Sequence, residues 1–391
     1  MKQFFPSNQA LRFVILLGIV SLFADMTYEG ARSITGQYLA VLGASGTAVG
    51  IVAGLGELAG YGFRVVSGYV SDKTGKYWLI TFIGYALNLL AIPLLALAGN
   101  WPLAAMLMTV ERLGKAIRSP AKDAMLSYAT QNIGRGWGFG LHEAMDQIGA
   151  ITGPLIISAV LFYQGAYSTS FAILLIPALS ALAVLTVAYF SYPNPQDLEV
   201  AIPEVKIEGF PKKYWIYIIA ISCVAAGYVD FSLIAYHFQK QGAVPPVWVP
   251  VFFSIAMAAD GIAALVLGKL YDSKGISVLI FSTALSALFA PFVLLGGFYT
   301  ALFGMIIWGI GIGAQESIMR ATVAALVPKE RRGMAYGTLN MWFGISWFLG
   351  SALMGFLYDL SILALITFSL SIQLAAIPFL LELKKPSSRL L

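Results

Sequence analysis

Apolar residues in this chain gather in long runs bounded by Gly, Pro and clusters of charge. A run of about 20 apolar residues is long enough to cross a bilayer as a helix. Such runs predict spans at 12–38, 47–71, 77–98, 102–130, 134–163 and 168–190, then at 214–240, 247–271, 277–297, 300–327, 333–358 and 360–382. The interval 191–213, rich in Pro, Glu and Lys, is the one long hydrophilic stretch and reads as a linker. The expected organisation is a six-helix bundle at 1–190, a cytoplasmic linker at 191–213 and a second six-helix bundle at 214–391. The first apolar run, Leu11–Phe23, follows Lys2 and Arg12 as in a signal peptide, but no small-residue cleavage site closes it and Asp25, Glu29 and Arg32 continue the segment. It reads as an uncleaved first span.

Composition excludes a soluble protein. Of 391 residues 59% are apolar and 11% are charged, against about 25% charged in a soluble domain. The net charge of +5 raises the question of nucleic acid, and the placement of the bases answers it. Alternate connections hold Lys2, Arg12, Lys73, Lys76, Lys122, Arg135, Lys206, Lys212, Lys213, Lys269, Lys274, Lys329, Arg331, Arg332, Lys384, Lys385 and Arg389, while the opposite side holds Lys240. Basic loops stay cytoplasmic, so the expectation is a multi-pass inner-membrane protein with both termini and the linker inside, in contact with lipid and with no nucleic acid. Cys223 stands alone and the histidines are His142 and His237, so a disulfide, a metal cluster or a cofactor site is not expected. No nucleophile–base set and no Gly-x-x-x-x-Gly-Lys-Ser/Thr loop is present, which argues against an enzyme and against a primary pump.

The chain repeats itself. Gly68-Tyr-Val-Ser-Asp72-Lys-Thr-Gly75-Lys76 follows the second span, and Gly268-Lys-Leu-Tyr-Asp272-Ser-Lys-Gly275 follows the eighth. Arg118 and Arg320 stand near the inner ends of spans four and ten, and Gly136 to Gly140 opens span five as Gly333 to Gly337 opens span eleven. Offsets of 197 to 202 residues are those of a duplicated six-span unit.

On these residues the chain resembles the major facilitator superfamily over essentially its full length. Gly68, Asp72, Gly75 and Lys76 fill that family's loop between spans two and three. The resemblance implies a gate in which Asp72 pairs with Arg118 and faces the N-terminus of span eleven, with Asp272 and Arg320 as the repeated counterparts. Gly140, Gly149 and Gly153-Pro154 resemble the span-five motif of drug/proton antiporters, although Ile157 and Ser158 stand where that pattern closes with two glycines. Arg112 matches the buried arginine of span four, with Lys115 and Ala116 in place of Gln-Gly. The implied fold is all-α, twelve transmembrane helices in two pseudo-symmetric bundles, with spans one, four, seven and ten lining a cavity and span five beside it.

Ionisable residues inside spans are the candidate chemistry, because each costs about 2.5–3.5 kcal/mol to insert and needs a cavity or a partner. Nine acids (Asp25, Glu29, Glu57, Glu111, Glu143, Asp146, Asp230, Asp260, Glu316) meet six bases (Arg32, Arg64, Arg112, Lys115, Arg118, Arg320). Proton handling is expected of Asp25, Glu143, Asp146, Arg112 and His142, and substrate contact of Glu29, Arg32, Glu111, Lys115, Asp230, Gln315 and Glu316. The competing reading is that these are buried ion pairs fixing the helices, such as Arg112 with Asp146, and that His142 is a solvated residue at a cavity mouth. The resulting expectation is a secondary transporter for a small organic solute, working by alternating access, with protons as coupling ion in an export antiport, acting as a monomer. A metabolite importer or facilitator of the same fold, or a transporter-like receptor or scaffold, are the alternatives.

Overall fold

The computed structural model describes residues 7–130, 135–193, 209–328 and 331–384. Most of the linker expected at 191–213 lies outside these, as do Lys2, Lys206, Lys329, Lys385 and Arg389. Among the described residues the chain is all-helical: α1 (Ser7–Val41), α2 (Gly46–Thr74), α3 (Tyr77–Leu94), α4 (Trp101–Thr130), α5 (Arg135–Gln164), α6 (Tyr167–Ile173), α7 (Leu175–Ser191), α8 (Lys212–Gly227), α9 (Phe231–Gln241), α10 (Trp248–Lys274), α11 (Ile276–Ala287), α12 (Phe289–Leu295), α13 (Phe298–Leu326), α14 (Arg332–Leu360), α15 (Ile362–Leu374) and α16 (Ala376–Lys384). Consecutive pieces α6–α7, α8–α9, α11–α12 and α15–α16 form single spans, which gives twelve. Eleven are apolar enough to cross a bilayer by length and composition. The twelfth is α4, long enough at 30 residues but carrying Glu111, Arg112, Lys115, Arg118, Lys122 and Asp123.

Three of the four interruptions have one cause. Pro177, Pro291 and Pro378 each lie three residues into the second piece, so the missing proline N–H would have bonded the carbonyl of Ile173, Ala287 or Leu374. Those are the final residues of α6, α11 and α15. The break in span seven is different: α8 ends at Gly227, Tyr228 and Val229 are non-helical, and the Asp230 carboxylate caps α9 by accepting the Ser232 amide at 2.8 Å.

Packing divides the chain into two compact units, Met1–Tyr38 with Ala59–Pro203, and Leu39–Leu58 with Glu204–Leu391. The second unit therefore holds the first part of α2. Asp359 at the end of α14 accepts the Gly46 and Thr47 amides at 2.8 and 2.7 Å, capping α2, and the Gly50 backbone lies so close to α14 that an added Cβ would stand 2.3 Å from the Ser351 carbonyl oxygen. In the first unit Phe13, Leu17, Tyr85, Leu89, Met125 and Leu185 form a core between α1, α3, α4 and α7. In the second, Tyr228, Phe231, Phe253, Phe289 and Trp308 pack ring against ring around the span-seven break. Elsewhere large apolar side chains such as Phe63, Val65, Leu265 and Val266 are exposed, an arrangement suited to lipid and not to water.

The duplication is visible in the backbone. Gly75 and Gly275, two hundred residues apart, end α2 and α10 with φ of 65° and 58°, a left-handed turn that a side chain would oppose.

Candidate functional site

Span four organises the chemistry of the first unit. Lys115, Arg118 and Lys122 follow one another at three- and four-residue steps along one face of α4, turned toward α1 and α5. Arg118 is 3% exposed; its Nη2 lies 3.9 Å from Asp25 Oδ1 on α1, and its guanidinium stacks 4.3 Å from the Tyr85 ring centroid. Lys122 reaches Ser21 Oγ on α1 and His142 Nε2 on α5, both at 3.4 Å, and Asp123 at 3.7 Å. His142 is buried; Ser21 Oγ stands 3.0 Å from its Nε2, and its Nδ1 faces Asp146 Oδ2 at 3.5 Å. With the ring proton on Nδ1 toward the carboxylate, Nε2 is free to accept from Ser21 or Lys122. Asp25 and Asp146 also act on one another electrostatically, and Lys115, Arg118 and Lys122 act on Asp25. Two carboxylates, one imidazole and three cations from three helices thus form one network.

A second group lies along α1 and α4, with Asn88 of α3 beside it. Glu111 is buried and accepts the Asn88 amide at 2.7 Å, with Arg112 Nε 3.5 Å from its other oxygen. Arg32 and Glu29 pair at 3.7 Å on α1. Arg112 and Lys115 approach the Tyr28 ring to 5.0 and 3.7 Å from its centroid.

Close backbone packing holds this geometry. Added Cβ atoms on Gly149 and Gly153 of α5 would stand 2.3 Å from the carbonyl oxygens of Leu22 and Met26 on α1, so only glycine lets α5 bring His142 and Asp146 against Ser21 and Asp25. The antiporter-like spacing is in this sense a packing face. Gly140, its third member, has nothing within 4 Å of the Cβ position. Gly350 on α14 approaches the Ala226 carbonyl of α8 to 2.0 Å by the same measure, the equivalent contact in the second unit.

Several sequence expectations are redistributed. Arg112 stands with Glu111 and Tyr28, while Asp146 stands with His142, in place of an Arg112–Asp146 pair. Arg118 pairs with Asp25, and Asp72 is exposed and accepts the Tyr77 hydroxyl at 3.1 Å. Lys122, counted from sequence among the loop charges, is a buried residue within α4, and His142, read as equally at home in a solvated mouth, is 4% exposed. Glu143 is exposed one turn before the half-buried Gln147. In the second unit Asp230 is buried as the α9 cap, Gln315 is buried and donates to the Gly311 carbonyl at 3.2 Å, and Glu316, Asp272 and Arg320 are exposed. Sequence reading missed Lys122, Ser21, Tyr28 and Asn88. For Lys122 the signal was present in its register with Lys115 and Arg118.

The Major Facilitator Superfamily profile matches residues 16–351 and 274–390, and the chain belongs to that family. An uncharacterised protein of Mycobacterium tuberculosis is 39% identical over 388 residues, covering 97% of this chain and 95% of the relative. An uncharacterised MFS-type transporter of Methanocaldococcus jannaschii is 28% identical over 361 residues, 89% of each chain. Among solved structures, that of the nucleoside transporter NupG superimposes with a TM-score of 0.73 over 95% of this chain and 97% of its own, at 14% identity. The protein is a membrane transporter, not an enzyme.

Proposed function

We propose that the chain is a proton-coupled antiporter that exports a small organic solute by alternating access of its two six-helix halves. The observation that carries this reading is the Asp146–His142–Lys122 chain with Ser21, beside the Asp25–Arg118 pair. It holds Asp146, a half-buried carboxylate, against an imidazole that can take or release a proton, and the half-buried Asp25 against a guanidinium that stays charged. A carboxylate facing cations is stable ionised, and the same carboxylate separated from them in a dry span is stable protonated. A proton drives transport when it stabilises one arrangement more than the other, and this network supplies such a difference if α5 shifts against α1 and α4. The resemblance of the span-five glycines to drug/proton antiporters favours export. Asp72 with Gly68, Gly75 and Lys76, repeated at Gly268, Asp272 and Gly275, forms the gate of this reading. The distribution of Lys and Arg supports an inner-membrane location with cytoplasmic termini, and the working unit is taken as a monomer.

The test is transport in liposomes with and without a proton gradient, using a solute found by ligand-induced thermal stabilisation. Asp146→Asn should abolish gradient-driven movement and keep binding, with Glu143→Gln the next most damaging change. Full proton-driven transport by Asp146→Asn would reduce this carboxylate to a structural partner of His142 and remove the proposal.

A further inference from the structure

We infer that Lys115 is the substrate-anion contact of this transporter and that the solute carries a carboxylate. The inference rests on the transporter reading of the same helices, not on the proton relay. Of the four cations on α4, three have a carboxylate within ion-pair distance: Arg112 with Glu111 at 3.5 Å, Arg118 with Asp25 at 3.9 Å and Lys122 with Asp123 at 3.7 Å. Lys115 stands at the middle of the 30-residue span, and among the described residues no carboxylate lies within 4.0 Å of its ammonium. Asp25 and Glu29 act on it from farther away. Its near neighbour is the Tyr28 ring, 3.7 Å from Nζ to centroid. A cation–π contact is weaker than the demand of an ammonium in mid-membrane, so this cation has capacity for an anion.

A second observation points to the same place. Tyr28 is 2% exposed, and its hydroxyl is buried without a hydrogen-bond partner. A buried hydroxyl almost always has one. Tyr28 thus offers a free donor on the same ring that Arg112 and Lys115 approach. An ammonium, a guanidinium and a phenol hydroxyl gathered at one ring form a donor set for a carboxylate, which accepts through two oxygens. Glu29 pairs with Arg32 and Glu111 with Asn88 and Arg112, so the charge left over in this group is the positive charge of Lys115.

Binding is read by thermal stabilisation of purified full-length protein in detergent, where no gradient exists and coupling plays no part. The probes are monocarboxylates from acetate to benzoate, each beside its neutral amide and its amine. Carboxylates should stabilise the protein and amides and amines should not. Lys115→Met should weaken apparent carboxylate affinity by about ten- to a hundredfold, the worth of a charged hydrogen bond. Lys115→Arg should keep most of it, and Tyr28→Phe should lose about tenfold at most. The ligand-free Lys115→Met protein should be as stable as the parent or more so, because a mid-span cation with no carboxylate in ion-pair contact has been removed. Stabilisation by no carboxylate, equal stabilisation by the amides, or unchanged carboxylate affinity in Lys115→Met would each overturn the inference. A ligand-free Lys115→Met protein that is clearly destabilised would make Lys115 a structural cation and overturn it too. If proton coupling fails in liposomes while this binding pattern holds, the relay falls and the anion contact stands.

Discussion

The Asp25 carboxylate and the Arg118 guanidinium form an ion pair between α1 and α4, and their geometry sets what a single substitution should do. Arg118 is almost fully buried, and its Nε has no partner, so Asp25 and the Tyr85 ring are its main compensation. Removing one member of a buried pair costs about 3–5 kcal/mol, because the other charge stays behind. Asp25→Asn should fall at the lower end of that range, since the pair is long at 3.9 Å and the stacking on Tyr85 survives. The expected readout is a lowered thermal midpoint of the purified protein, largely recovered in Asp25→Asn/Arg118→Gln. A single variant as stable as the parent would mean that Asp25 is not the counterion of Arg118. Sequence alone marked these residues, since charges in apolar runs stand out, but it matched them wrongly. Periodicity gives which residues share a face of one helix; it does not give the rotation and height of one helix against the next. Those are what decide that Arg118 meets Asp25 and that Lys122 meets His142.

At the scale of elements, the contact between α1 and α5 is the one on which the network depends, and it can be tested without touching a charge. Gly149→Ala and Gly153→Ala each place a methyl where a carbonyl oxygen of α1 now lies, so the helices must separate. Overpacking of this kind costs about 1–3 kcal/mol. Gly140→Ala, in the same helix and the same sequence motif, meets nothing within 4 Å and should leave stability unchanged, slightly raised by the better helix propensity of alanine. Thermal midpoints of the three variants check this. Equal effects at all three positions would show that helix propensity, not contact with α1, governs the motif. Gly350→Ala against Gly337→Ala should repeat the contrast in the second unit, where Gly350 approaches α8 and Gly337 meets nothing. The twelve spans were legible because a bilayer imposes a length and a composition on each of them. Their interruptions were legible in part: Pro177, Pro291 and Pro378 each remove a hydrogen bond at a fixed distance back along the chain. The span-seven break follows Gly227 without a proline. It depends on Trp308 donating to the Val229 carbonyl at 3.0 Å, and on Ser369 and Gln373 donating to the Gly227 carbonyl at 2.6 and 3.0 Å, partners that lie far away in sequence.

For the whole molecule, the unequal distribution of Lys and Arg makes a prediction that none of the buried chemistry can make. Lys76 lies between α2 and α3 and Lys240 near the end of α9. An odd number of spans separates the two positions, so they belong on opposite faces of the membrane. Orientation is set by positive charge near the span ends, and the face that holds Lys76 also holds the other basic connections, with Lys240 alone on the other. Cys223 is the single cysteine, so Cys223→Ser gives a background in which one engineered thiol can be followed. In intact cells a membrane-impermeant maleimide should label Lys240→Cys and not Lys76→Cys, and permeabilising the membrane should expose the second. The reverse pattern would invert the protein, place the Asp72 and Asp272 loops outside, and change the direction assigned to transport. Labelling of both positions in intact cells would mean that the spans between them are not an odd number. That result would contradict the broken-helix reading of α6–α7 or of α8–α9, two of the four joined pairs on which the count of twelve depends. A single pair of thiols therefore tests the orientation and the span count together, with the buried network left intact.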